Sequence, residues 1–145
     1  MAAFSIWGGD DATLFFLRWA QPGITWWPDS ENAEALAVMP SCGHMSMSAV
    51  HTAVVPAYLP VTAKQVITYG LAQANTLTFS SRRDNGCMLA LQRDVTTILG
   101  VKLIQQELPL PPTRRPEHML AVCGTLLLSG CAPALLENLL SQYDC

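Results

Sequence analysis

MLAVCGTLLLSG, residues 119–130, followed by CAPALLENLLSQY, residues 131–143, is the stretch on which the fold turns. From Met119 to Leu128 the chain is apolar nearly all round, with no polar stripe to face water. A helix of that composition is normally buried on every side. Gly130 supplies the stop, because glycine takes the left-handed conformation after a helix without steric penalty. Pro133 suits the first turn of a new helix, where its missing N–H would be unpaired in any case. Beyond it Leu135, Leu136, Leu139, Leu140 and Tyr143 form one apolar face opposite Glu137, Asn138 and Gln142. The spacing predicts a buried helix, a tight turn and an amphipathic helix packed over it.

A chain of 145 residues is expected to form one domain, 1–145, with a core of its own. Charged residues are 13% of it, about half the usual share, and apolar residues are 50%. So little polar surface implies either an unusually compact chain or, the favoured reading, an outside meant in part for a protein partner or for self-association. The net charge is −3, and the basic residues form two doublets, Arg82-Arg83 and Arg114-Arg115, and four singletons. No basic stripe results, so no nucleic-acid partner is expected. Five cysteines without a C-x-x-C pair, and no signal-peptide pattern in Met1–Trp7, point to a reducing, cytoplasmic setting. Gly124, Gly130 and Pro133 interrupt the C-terminal apolar run, which falls short of the roughly 20 residues a membrane span needs. Membrane insertion is therefore not expected, although a membrane-associated complex is compatible with the sequence.

Along the chain, Phe4–Trp7 and Ala12–Trp19 read as strands joined across Gly8-Gly9-Asp10-Asp11. With Ile24–Trp27 as a third strand, the start predicts a β-meander. Asp29 or Ser30 can cap a helix over Glu31–Met39. Met45–Val55 reads as a strand, Thr62–Val66 as a helical turn and Val66–Tyr69 as a strand closed by Gly70. Thr76–Ser80 and Met88–Gln92 flank Asn85-Gly86, the strongest short hairpin signal. Asp94–Leu99 reads as a short helix, Val101–Gln106 as a strand and Leu108–Pro116 as a proline-rich connector. The whole is a mixed α/β domain (α+β as the variant) with an N-terminal meander, a central hairpin and a C-terminal helix pair.

Chemistry-bearing groups are sparse. Cys42, His44, His51 and His118 contain metal-ligand types, but no second close pair completes a tetrahedral set. No G-x-S-x-G or comparable nucleophile signature is present. Asp10-Asp11 could hold magnesium or act as paired carboxylates, with plain turn aspartates as the favoured reading. Neither Lys64 nor Lys102 follows a glycine-rich loop, so a phosphate-binding P-loop is absent. No catalytic residue, cofactor or metal ligand is assigned. Trp26-Trp27 beside Pro28, with Trp7 and Trp19, form the candidate contact surface, because tryptophan is enriched in binding hot spots; packing of these rings in the core is the alternative. The interaction residues expected are Trp19, Trp26, Trp27 and Tyr58.

Two resemblances bear on function. Val66-Ile67-Thr68-Tyr69-Gly70-Leu71, Met88-Leu89-Ala90-Leu91, Glu107-Leu108-Pro109-Leu110, His118–Gly130 and Ala134–Leu140 follow one another in order. Over Lys64–Asp144 this resembles the second half of the central domain of Mur ligases and folylpolyglutamate synthases. That family's G-x-H-N-x-x-N signature falls on Arg114–His118, which reads RRPEH, so no catalytic role is carried over. Ala3–Trp19 resembles the first hairpin of actin-like folds, found in cytoplasmic assembly proteins of type IV pili and type II secretion. There Trp7 stands in place of the aspartate before the glycines. Both resemblances keep scaffold elements without the nucleotide chemistry. The expectation is a non-catalytic assembly or adaptor subunit, in a pilus- or secretion-type machine if the second resemblance holds. The alternative is a degenerate ligase-like domain that binds a nucleotide or substrate.

Overall fold

The protein is described by a computed structural model that covers residues 2–31, 33–40, 42 and 51–143. In chain order the elements are β1 (Ala3–Trp7), α1 (Asp11–Ala20), β2 (Thr25–Pro28), β3 (Ala35–Val38), β4 (Thr52–Pro56), β5 (Gln65–Tyr69), β6 (Leu77–Arg83) and β7 (Gly86–Leu91). There follow β8 (Val95–Thr96), β9 (Lys102–Leu103), β10 (Gln106–Leu110), α2 (Pro116–Leu128), a 3-10 turn Pro133–Leu135 and α3 (Leu136–Leu140). Eight strands form one sheet in the order β10-β7-β6-β5-β4-β3-β1-β2, and β8 pairs with β9 apart from it. The run from β2 to β6 is parallel; β7 and β10 add antiparallel strands at one end. The fold is mixed α/β, as the sequence implies.

Helices cover one face of the sheet. α2 crosses β3, β4, β5 and β6, α1 lies against β2, and α3 against β10. Phe4, Ile6, Trp26, Ala37, Val54, Ile67, Leu77 and Leu89 point into this layer. Met119 through Leu128 are all buried, which is why that helix can be apolar on every side. Gly124 sits where α2 comes closest to the sheet: a Cβ there would lie 2.7 Å from Leu77 Cδ1 and 3.0 Å from Val54 Cγ1. Gly130, at φ 104°, ends the helix, with Cys131 N donating back to Leu126 O. On the opposite face Trp7, Leu36, Val38, Ala53 and Val55 form a smaller cluster covered in part by Leu59, Val61 and Ala63.

The N-terminal meander gives way to a β-α-β unit, because Ala12–Trp19 is helical and β1 pairs with β2 in parallel. Asp10 decides this. Its carboxylate accepts from Thr13 N at 2.8 Å and from Thr13 Oγ1 at 2.7 Å, which is an N-cap, and Asp11 follows in the first turn. Thr13, Leu14, Phe16 and Leu17 are buried, at helical spacing. The stretch reads as strand only if both flanks of its aromatic run are taken to be covered, and one is not.

The described residues of Glu31–Met39 form no helix but the buried strand β3, seated between β1 and β4. Full burial on both faces favours a short apolar run as a parallel strand, overriding the helix propensity of alanine and leucine. Of the strand expected over Met45–Val55, Thr52–Pro56 is seen as β4 and the part before His51 lies outside the described residues. Residues 62–64 carry no helical turn. Asp94 does not cap a helix; its Oδ1 accepts from Gln105 N at 2.9 Å, beside the β8–β9 ladder. Only Lys102–Leu103 of the expected Val101–Gln106 strand is β9. The connector is in part β10, an edge strand, the place in a sheet where a proline such as Pro109 is tolerated. The Asn85-Gly86 hairpin and the two C-terminal helices form as expected, but the second helix is short, Leu136–Leu140 after a 3-10 turn, and lies against β10, with Leu135 exposed while Leu136 and Leu140 are buried.

Candidate functional site

Parallel strands direct their C-terminal ends to one edge of the sheet, and in open α/β sheets that edge is where ligands are usually held. Here β1 runs into Gly8, at φ 78°, whose N–H donates to Asp29 Oδ1 at 3.2 Å. A side chain at Gly8 would meet Cys42 Cβ at 2.7 Å. Beside it, Met39 N donates to Trp7 O at 2.8 Å, and the Tyr69 hydroxyl at the end of β5 donates to Val38 O at 2.5 Å. Burial pushes the Tyr69 phenol well up, so it stays protonated as a donor.

Four side chains join the N-termini of α1 and α2 at this edge. His118 Nε2 lies 2.6 Å from Tyr143 Oη, Tyr143 Oη lies 2.9 Å from Thr13 Oγ1, and Thr13 Oγ1 donates to Asp10 Oδ1. With Asp10 ionised, one placement of hydrogens satisfies every contact: His118 Nε2–H donates to Tyr143, Tyr143 to Thr13, and Thr13 to Asp10. The Thr13 donors hold the Asp10 carboxyl below its ordinary value. Burial, with Arg115 adding to it and Asp10 opposing, brings His118 down to about 4. The imidazole is therefore neutral near pH 7. In that placement each hydroxyl and the Nε2–H of the chain has an acceptor. A cavity of about 310 Å³ lined by Pro40, Arg115, Pro116, Glu117 and His118 opens beside it.

Tyr143 has a second neighbourhood. Its ring stacks on Phe16 at 4.4 Å between centroids, and Phe16 lies 5.9 Å from Trp19. Ala12, Phe15, Phe16, Trp19, Gln142 and Tyr143 line an open groove of about 570 Å³. Phe15 is 75% exposed and Trp19 53%, one turn apart on the outer side of α1. Large aromatics left in water on a helix with a buried opposite side are the feature that single scattered surface residues do not explain.

Of the four interaction residues expected from sequence, Trp19 lies in this groove. Trp26 faces the core at 3% exposure, stacked on Phe4 at 5.6 Å, with its Nε1–H given to Gln21 O, so it does not reach the surface. Trp27 is on the edge strand β2 and Tyr58 in the loop after β4; both are exposed and neither lines the groove. Phe15 and Phe16 are not among the expected interaction residues, and the Asp10-x-x-Thr13 cap is the signal that places them on a helix; Tyr143, expected on the apolar face of the last helix, joins them from the other end of the chain. His51 bonds Thr52 Oγ1 through Nδ1, His44 lies outside the described residues, and no group of three metal-ligating side chains gathers among the described residues. Among those residues, no helix is long and apolar enough to cross a membrane. No protein-family model and no curated protein matches this chain.

Proposed function

We propose that this chain is a non-catalytic assembly or adaptor unit that docks a protein surface through the outer face of α1. The exposed Phe15–Trp19 pair beside the Phe16–Tyr143 stack carries the proposal. The polar chain from His118 to Asp10 fits the same role: it braces the two helix N-termini and holds Tyr143 against Phe16. Cys87 and Cys131, free and buried, suit the reducing, cytoplasmic setting proposed for it. The test is Phe15→Glu with Trp19→Glu. The double variant should lose its bound or assembled form while its urea midpoint stays within the range of ordinary surface changes; retained assembly would refute the role.

A ligase-like binding domain is the second proposal, favoured by the cavity at the C-terminal edge of the parallel strands. In its support, β5, the β6–β7 hairpin, β10, α2 and α3 follow in the order expected from the likeness to Mur ligases and folylpolyglutamate synthases. Calorimetry with ATP and magnesium separates the two. An adaptor gives no heat of binding, whereas submillimolar affinity would favour the ligase-like domain.

A further inference from the structure

We propose that the surface docked on α1 is that of a second copy of this chain, the two α1 helices lying antiparallel about a two-fold axis. The inference rests on the docking role of α1 and adds the identity of the partner. The exposed residues of the helix are Asp11, Ala12, Phe15, Arg18 and Trp19. Ala12, Phe15 and Trp19 recur at i, i+3 and i+7, the spacing of a helix–helix seam. Asp11 and Arg18 are seven residues apart and therefore stand on the same flank of that seam, one acidic near the start of the helix and one basic near its end.

That arrangement is complementary to itself. Turned end for end about a two-fold axis, the helix sets Asp11 of one copy beside Arg18 of the other, twice, and sets bulky Phe15 against small Ala12, twice. Isologous contacts of this kind close into a dimer instead of propagating. Parallel alignment would instead set this flank of each copy against the other flank of its partner, so neither Asp11–Arg18 pair would form. Arg18 already gives one N–H to Trp26 O at 3.0 Å, which holds the side chain on the flank and leaves other guanidinium donors for a carboxylate. Trp19 extends past Ala12 of the second copy, toward the open Gly8-Gly9 turn.

Sedimentation of the purified chain at tens of micromolar tests this, with Asp11→Arg and Arg18→Glu as variants. Both positions are exposed, and unchanged circular dichroism checks that each variant folds. Wild type should sediment as a dimer. Each variant alone places like charges at both flanking contacts and should dimerise at least tenfold more weakly. An equimolar mixture of the two variants restores opposite charges at both contacts and should regain the dimer. A monomeric wild type, or variants that dimerise as well as it does, would overturn the second copy as partner. A monomer that nevertheless cross-links from position 15 to a different protein would overturn only this inference, and a monomer that cross-links to nothing would overturn the docking role as well. Should a variant misfold, Phe15→Ser replaces it, and dimerisation undiminished by that change would equally refute the seam.

Discussion

Tyr143 holds its hydroxyl 2.6 Å from Nε2 of His118 across 25 positions of sequence, joining the end of the chain to the first turn of α2. Tyr143→Phe removes that contact and the one to Thr13 while keeping the ring on Phe16. It leaves a half-buried imidazole N–H without its acceptor, a loss of about 1–3 kcal/mol by the usual desolvation penalty. Urea unfolding of the variant measures it. An unchanged midpoint would mean that water serves the imidazole equally well.

The same histidine makes stability depend on pH. Folded, His118 titrates at about 4, against an ordinary value of 6.5 for the unfolded chain. Between those values the unfolded state binds the extra proton, so this contribution is complete above pH 6.5, falls as the pH drops, and levels off below about 4. The urea midpoint should therefore decline from neutral to mildly acid pH, and His118→Gln should decline less. Equal declines would assign the effect to another group.

Gly124 faces two opposed effects on substitution. Alanine is favoured over glycine inside a helix by about 1 kcal/mol. Its methyl group, however, would sit 2.7 Å from Leu77 Cδ1, and Leu77 is fully buried. Overpacking of a filled core costs about 1–3 kcal/mol, so Gly124→Ala should be net destabilising. Adding Leu77→Ala should make the Gly124→Ala change less costly in the double variant. Additive losses in thermal or urea unfolding would show that the two positions do not meet.

Much of the core is legible in the sequence. Met119–Leu128 announces its burial by having no polar face, Gly130 and Pro133 mark the turn, and Asn85-Gly86 marks the hairpin. The N-terminal third was harder to read, because an aromatic run beside Gly-Gly-Asp-Asp fits two periodicities. Only the bond from Asp10 to Thr13 separates a capped helix from a turn between strands. The α1 side of the docking groove follows from that one cap, so Trp19 is legible as a contact residue while Phe15 and Phe16 are not, and nothing in the sequence brings Tyr143 to them. Trp26 and Trp27 are adjacent, and strand alternation sends one inward and the other out.

Burial on α2 and exposure on α3 should separate cleanly in stability. Leu127 is fully buried, and Leu127→Ala should cost about 2–5 kcal/mol. Asn138 is exposed, and its Ala variant should change stability by less than about 0.5 kcal/mol. Equally mild effects on denaturant midpoints would place α2 nearer the surface than its packing implies.

Site-specific photo-cross-linking tests the docking role of α1 most directly. A photoreactive residue at position 15 or 19, in cells of the source organism, should give a discrete heavier species. The same residue at position 138, on the exposed side of α3, should give none. Equal cross-linking from all three positions, or none from position 15 and position 19, would contradict the assignment of α1 as the docking surface.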